Sequence, residues 1–460
     1  MVKVLKSLLP VIIVTTALVI YLLRQFSTNL LHGIDGPYYL IQVRYLLHNL
    51  ELKYPDPPLT FYMLSFFALI FNDIVFGIKV GAVVLTLISA IPLYFMIREL
   101  NGEVPAFISL TIYIFSPFIV RLMFDLVKNS VGLTFILLTL FFIIKTLKTH
   151  KPMYSILASL LISITSLTHI LDFMFTVMFL LVMLLIYVIL SLKSSNTGLA
   201  IKITKLMLPP LITSAVLILI GIALPYIFGG DMLKIESFII NLLTYLSAHV
   251  NEASIALLFK NNLYLFTIPI IIASLSVLLN LPKDVHAKVV TLTMITVLII
   301  LNIPLTPPEY LWRLNLMSLI PMSYILALIM NSIKSFRAVL PLHLVILGFI
   351  ALFTINQLIV IKPSIPSEAL NELNTIIRRF NTSNLYYVVP EVRLRYWVEV
   401  LTSNVVGNIE EIKSKEVSSI ILILPRYLPH GHVPPHKPLP HPVPSRPLYL
   451  GKYFIAFRLG

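Results

Sequence analysis

His32-Gly33-Ile34-Asp35-Gly36-Pro37-Tyr38-Tyr39 follows directly on the first long apolar run of the chain and places a lone carboxylate at the mouth of a membrane. Asp is a good helix N-cap, Pro is tolerated in the first turn, and Tyr39, Leu40, Val43, Leu46, Leu47 and Leu50 then recur at helical spacing. Gln42, Arg44, His48, Asn49 and Glu51 fall on the other side. The pattern predicts an amphipathic helix that lies at a membrane surface rather than crossing it. Asp35 is the lead catalytic candidate. The competing reading is that it only caps this helix.

Working outward, the whole chain has the composition of a polytopic membrane protein. It has 460 residues, of which 58% are hydrophobic and only 12% charged, too apolar for an ordinary soluble domain. The net charge of +14 would suit a nucleic-acid partner, but Lys and Arg sit in short clusters between apolar runs, as the positive-inside rule expects, so the charge is read as topology. There is no cysteine, which excludes thiolate metal sites, catalytic cysteines and disulfides. Leu8 to Leu23 follows Lys3 and Lys6 and ends without a small-residue cleavage site, as an uncleaved signal anchor does.

With Lys3 and Lys6 inside, the first span leaves Asp35 outside. Pro57 to Phe71 is short for a crossing, and only if it does not cross does the cluster Lys145, Lys148 and Lys151 fall inside. Further spans are expected over roughly 74–97, 104–120, 129–146, 152–168, 170–192, 206–228, 263–281, 287–304, 311–331 and 338–361, about eleven with the first. The expected fold class is an all-α polytopic membrane domain over residues 1–361, with an amphipathic outer loop at 27–73, followed by a small extracytoplasmic α/β appendage over 362–460. The N-terminus is expected in the cytoplasm.

In the appendage, Glu368 to Phe380 reads as a helix, and Leu385 to Val389, Ile420 to Leu424 and Tyr453 to Arg458 as strands. A Pro-rich loop, 425–447, holds His430, His432, His436 and His441; their spacing matches no defined metal site, and Pro favours an extended segment. Asn381-Thr382-Ser383 is a glycan acceptor tripeptide on the expected outer side.

Polar residues collect at the outer ends of spans: Asp35, Asp125, His169, Glu309 and Arg313. Asp125 lies between Arg121 and Lys128, and either caps the next helix, pairs with one of these cations or acts in chemistry. His169 opens a span, where neutral imidazole suits both metal binding and proton transfer. Arg313 is costly in a bilayer unless it meets an anion, and a lipid phosphate would satisfy it.

Four features in this order carry a resemblance: Asp35 before an amphipathic helix, Tyr54-Pro55-Asp56-Pro57-Pro58-Leu59 opening an apolar run, a span ending Arg98-Glu99-Leu100-Asn101-Gly102, and Ser116-Pro117 before a second outer Asp. Together they resemble the C-type (GT-C) superfamily of polyprenyl-phosphate-dependent membrane glycosyltransferases, over roughly residues 1–190 and more loosely Pro307 to Pro321. The resemblance implies transfer of a sugar from a polyprenyl (dolichyl) phosphate to a protein or glycolipid acceptor on the outer face, with inversion. It also implies that Asp35 and Asp125 are catalytic and that Arg313 contacts the donor phosphate, with His169, Glu309 and Arg44 as accessory candidates. A divalent cation, Mg or Mn, held by Asp35, Asp125 and His169 is the expected cofactor, since carboxylates suit hard cations. Asp35-Gly36 stands where protein O-mannosyltransferases have Asp-Glu, and the Trp-Trp-Asp-Tyr-Gly signature of oligosaccharyltransferases is absent, Trp312 and Trp397 being the only tryptophans. Neither subfamily is therefore assigned. The rival readings are a transporter or flippase, which would need midplane ionisable residues and an inverted repeat, and a non-catalytic subunit of the same fold.

Overall fold

The computed structural model describes residues 2–194, 197–224, 240–241, 244, 262–303, 308–332, 336–380, 385–408, 419–426 and 446–459. From the N-terminus the helices are α1 (Val2–Gln25), α2 (Gly36–Asn49), α3 (Leu59–Phe71), α4 (Ile74–Ile88), α5 (Ala90–Asn101), α6 (Glu103–Ile114), α7 (Pro117–Asp125), α8 (Val127–Thr149) and α9 (Pro152–Ser166). They continue with α10 (Ile170–Lys193), α11 (Thr197–Ala223), α12 (Asn262–Leu278), α13 (Val285–Asn302), α14 (Pro308–Met317), α15 (Leu319–Ser332), α16 (Phe336–Val360), α17 (Ser367–Arg379) and α18 (Val392–Leu401). The strands are β1 (Leu385–Val388), β2 (Val405–Val406), β3 (Ser419–Pro425), β4 (Tyr449–Leu450) and β5 (Phe454–Leu459).

Among the described residues seven helices are long and apolar enough to cross a membrane: Leu8–Gln25, Ile74–Asn101, Val127–Thr149, Ile170–Lys193, Thr197–Ala223, Val285–Asn302 and His343–Val360. Two bent pairs, Glu103–Ile114 with Pro117–Asp125 at 48° and Tyr310–Met317 with Leu319–Ser332 at 42°, make nine if each is one span. The chain is thus a multi-pass membrane protein. The expected count of about eleven is reached only if the shorter apolar helices Pro152–Ser166 and Leu263–Leu278 also cross. The 13 residues of α3 reach only about 20 Å, against a hydrocarbon core of roughly 30 Å.

The chain forms two compact units. The first comprises Met1–Arg24, Tyr54–Met63 and Val80–Val360. Within it α8 packs on α5 and α9, α9 on α11, α6 on α5 and α15, and α10 on α11 and α13. Lipid is as apolar as a leucine side chain, so such helices are held by close packing and by hydroxyl hydrogen bonds that satisfy carbonyls left over by the helices themselves. Thr86 Oγ1 lies 2.8 Å from Ser130 Oγ, and Ser89 Oγ 2.8 Å from Tyr113 Oη.

Irregular backbone is matched by donors from neighbouring helices. At the bend after α6, Ser116 caps α7, Pro117 supplies no amide, and Phe118 N donates to Ser116 Oγ at 3.2 Å. Two carbonyls before the bend are taken up elsewhere, Ile114 O by Tyr21 Oη at 2.6 Å and Phe115 O by Thr354 Oγ1 at 2.5 Å. Pro210 likewise leaves Leu206 O without its helical donor, and Ser155 Oγ of α9 reaches it at 2.7 Å.

The second unit comprises Gln25–Lys53, Leu64–Lys79 and Ile361–Gly460. Its sheet has the order β2-β1-β3-β5-β4; β1 runs parallel to β2 and β3, and β5 antiparallel to β3 and β4. The two edge strands, β2 and β4, are two residues each. One face is covered by α17 and α18, which bury Leu373, Ile376, Leu394 and Trp397 against Tyr387, Ile421, Ile423 and Phe454. Tyr387 Oη donates to Ile377 O at 3.1 Å, and burial pushes its phenol up to about 12. The expected helix and three strands of this region are present within a few residues of their expected ends, while α18, β2 and β4 were not anticipated.

Candidate functional site

The polar groups of the first unit gather where α7 ends, α8 begins and α10 begins. Ser116 and Pro117 fix the start of α7, and its nine residues end at Asp125. That places Arg121 one turn before Asp125, and Arg121 Nη1 pairs with Asp125 Oδ2 at 2.5 Å. Asp125 does not cap α8, whose N-cap position is Leu126. Lys128 turns instead to Asp56, with Nζ 2.7 Å from Oδ1 and 2.5 Å from Oδ2. Asp56 belongs to the Pro-flanked segment before α3, and that segment is pinned by Leu59 N donating to Leu167 O at 3.0 Å, next to the turn that carries His169. Both carboxylates are buried and each is paired with a cation.

The next residue, Asn129, links α8 to α10. Its Nδ2 lies 2.9 Å from His169 Nδ1 and donates to Asp172 Oδ1 at 3.1 Å. His169 holds the N-cap position of α10 in extended backbone, φ −162°, and forms no side-chain capping bond. Asp172 is completely buried, and its second oxygen, Oδ2, makes no hydrogen bond, the nearest ring nitrogen of His169 being 3.8 Å away. Gly132 makes room for it: a Cβ there would stand 2.0 Å from Asp172 Oδ2.

In the second unit, Gly33, at φ +82°, donates to Lys362 O at 3.2 Å, and His32 Nδ1 lies 3.2 Å from Gln25 Oε1. Asp35 then sits at the N-cap position of α2 with Pro37 in the first turn, as its sequence predicts, but its side chain makes no capping hydrogen bond. The helix rejoins the preceding chain closely, since a Cβ at Gly36 would lie 2.9 Å from Leu31 Cβ. Part of the polar side of α2 is engaged within the unit: Gln42 is buried and donates to Tyr38 Oη at 3.0 Å, Arg44 Nη1 donates to Val400 O at 2.9 Å, and the Tyr38 ring lies 5.4 Å from Tyr396, while His48 and Asn49 are exposed; beyond the helix, Lys53 pairs with Glu399. The helix is therefore held in part by α18, through Arg44 and Tyr38.

Of the remaining candidates, Arg313 is exposed on α14, its guanidinium 5.4 Å from the Trp312 ring centre, and no carboxylate among the described residues pairs with it. Glu309 lies in the same helix, with its side chain outside the described residues, and Asn381, His430, His432, His436 and His441 also fall outside them.

The metal expectation meets a plain geometric test. Among the described residues no three His, Cys, Asp or Glu side chains form a group able to hold an ion. Asp125 is taken by Arg121, and Nδ1 of His169 by Asn129. Within the first unit, Asp125 and His169 are thus each engaged by another side chain among the described residues.

Sequence reading missed Asp56 as a paired carboxylate, together with Asn129 and Asp172. Asp56 had a signal, a lone acid between prolines. Asp172 had a weaker one, a carboxylate one turn after a histidine at the head of an apolar run.

The family described as dolichyl-phosphate-mannose-protein mannosyltransferase matches residues 55–221. Comparison with curated proteins gives no match. Among solved structures, the oligosaccharyltransferase AglB from Archaeoglobus fulgidus, in complex with an inhibitory peptide and a dolichol-phosphate, is similar over 91% of this chain and 69% of its own, with a TM-score of 0.63 and 12% identity. The apo form of the Archaeoglobus fulgidus oligosaccharyltransferase is similar over 87% and 64%, with a TM-score of 0.59 and 13% identity. Its complex with Zn and sulfate is similar over 85% and 62%, with a TM-score of 0.56 and 14% identity. The chain thus spans 62% to 69% of the length of these structures.

Proposed function

We propose that this chain, which has the fold of the GT-C superfamily of polyprenyl-phosphate-dependent membrane glycosyltransferases, transfers a sugar from a polyprenyl (dolichyl) phosphate to a protein or glycolipid acceptor on the outer face of the membrane. The observation that carries the reading is the fold itself, matched over 91% of the chain to a structure bound to dolichol-phosphate. The family match over 55–221 supports the same class of donor.

The chemistry follows from the donor. Its anomeric carbon is tethered to a lipid and stays at the membrane surface, so the groups that act on it belong at the outer ends of spans. In a direct displacement an acceptor oxygen or nitrogen forms a bond to that carbon, the bond from carbon to the phosphate oxygen breaks, and the lipid phosphate leaves with the electron pair. The acceptor's proton passes to a carboxylate, and the configuration at the carbon inverts. Asp35 is the assigned base, with Asp125 as the second catalytic carboxylate. Arg313 is the assigned phosphate clamp: an exposed guanidinium without a carboxylate partner among the described residues is suited to bidentate binding of phosphate. In this reading the N-terminus is cytoplasmic and residues 362–460 are extracytoplasmic.

The test is transfer from a radiolabelled polyprenyl-phosphate sugar by purified protein into host membrane acceptors. Asp35→Asn keeps the size and capping ability of the residue and removes its basicity, so folding should survive while transfer falls about a hundredfold. Arg313→Ala should weaken donor use, and Arg313→Lys should restore little of it, because a point charge replaces a planar fork. Full transfer by the Asp35→Asn protein would remove Asp35 from the chemistry.

A further inference from the structure

His169 stands at the head of α10 with its side chain 12% exposed, while Asp172, one turn further on, is wholly buried. Between them and α8 sits Asn129, whose Nδ2 contacts both His169 Nδ1 and Asp172 Oδ1. An amide nitrogen only donates, and a carboxyl oxygen that carries no proton only accepts, as Asp172 Oδ1 does from Asn129. With Asp172 Oδ1 at 3.1 Å, the amide of Asn129 cannot turn over without setting its own oxygen against that oxygen, so both of its N–H bonds are directed, one to Asp172 and one to His169. The nitrogen that receives the second bond, Nδ1, must then be the unprotonated one. The ring proton lies on Nε2.

We infer that Asn129 and Asp172 are positioning residues that hold His169 as the Nε2–H tautomer, so that its imidazole serves as a neutral hydrogen-bond donor to a substrate oxygen and not as a metal ligand. Nothing else explains the arrangement as well. Asp172 is a carboxylate buried inside an apolar helix at considerable desolvation cost, with one oxygen left without a hydrogen bond and a glycine, Gly132, required to admit it. A hydrophobic residue would pack there with less difficulty, but it would leave the Asn129 amide free to rotate and the tautomer of His169 unassigned. The acceptor class follows from the donor: an oxygen of phosphate or of sugar can receive Nε2–H, whereas a cation would need a lone pair that Nε2 no longer has. In the reaction proposed above, the oxygen that gains charge as the sugar leaves is a phosphate oxygen, and a donor held in place before the reaction stabilises it without reorganisation. This last assignment rests on the proposed glycosyl transfer; the tautomer itself does not.

The test separates the two. Protein with ¹⁵N-labelled imidazoles is prepared in detergent or nanodiscs, and the His169 signals are assigned by their loss in His169→Gln. The wild type should show a protonated, pyrrole-type Nε2 and an unprotonated, pyridine-type Nδ1. The double substitution Asn129→Asp with Asp172→Asn exchanges the two side chains, conserving charge count and volume within the cluster, but places an acceptor beside Nδ1. It should fold as the wild type does, move the proton to Nδ1, and lower transfer at least tenfold, mainly in kcat. Asn129→Asp alone serves as a second route to the same switch if the exchange fails to fold. A wild-type spectrum with the proton on Nδ1 overturns the inference, as does an exchanged protein that switches tautomer and transfers at the wild-type rate. If the wild type transfers no sugar from any polyprenyl phosphate tried, the functional reading fails, and the spectra still decide the tautomer.

Discussion

Asp125 and Asp172 are both buried carboxylates of the first unit, 47 residues apart in sequence, and they are held in opposite ways. Asp125 closes a short helix and is neutralised by a cation on its own element, Arg121. Asp172 opens a long helix and is held by a neutral amide that another helix supplies, with a glycine giving it space. The first arrangement is a matter of charge balance and tolerates any geometry that keeps the pair together. The second depends on which atom donates to which, and charge balance does not account for it. The Arg121 pair accounts for the burial of Asp125 whatever its role in transfer, whereas the setting of Asp172 calls for a further explanation.

The comparison is most easily broken at the cation. Arg121→Ala leaves Asp125 buried without its counter-charge, and apparent melting temperature in detergent should report a loss of about 3 kcal/mol, the scale for stripping a buried pair. Combining it with Asp125→Ala should recover most of that. A negligible loss in the single variant would mean that Asp125 is neutral or otherwise satisfied. Gly132→Ala comes next: its added methyl meets Asp172 Oδ2, and overpacking of this kind costs about 2 kcal/mol. Adding Asp172→Ala to it should restore stability, whereas an additive loss would show that the two sites do not touch. The smallest effect is expected for Asp172→Asn, which keeps the shape and the oxygen that accepts from Asn129. Its stability should stay within about 1 kcal/mol of wild type. A loss as large as that of Arg121→Ala would show that the charge of Asp172 itself is structural and would erase the contrast.

The same contrast explains what could be read in advance. Asp125 was legible because both candidate cations, Arg121 and Lys128, lie within four residues, so that a single helix turn poses the question that the structure answers. The head of α2 was legible for a similar reason, Asp35-Gly36-Pro37 being a purely local signal. Asn129 and Asp172 were not legible, because their meaning comes from a contact between residues 43 apart, and inside Ile170-Leu171-Asp172-Phe173-Met174-Phe175 the acid looks like an isolated exception. Within the span expected over 104–120, Ser116-Pro117 both ends α6 and starts α7, a break whose carbonyls are satisfied by Tyr21 and Thr354 from far along the chain. The polar side of α2 suggested water to the sequence, while in the folded unit part of it meets Val400 and Tyr396 and His48 and Asn49 stay exposed. Periodicity records that a face is polar; it does not record whether solvent or protein satisfies that face.

The sheet of the second unit has a consequence for how the protein lives among its own copies. A membrane confines molecules to two dimensions, where encounters between identical chains are frequent and an open strand would be extended by a neighbour's. Here the central strands β3 and β5 lie inside the sheet, and the borders, β2 and β4, offer only two residues each. So short a border gives an incoming strand one or two backbone pairs, too few to repay its ordering. Among the described residues, then, β2 and β4 themselves give a neighbouring copy little to extend, and crowding in the bilayer is not turned into strand pairing through either of them.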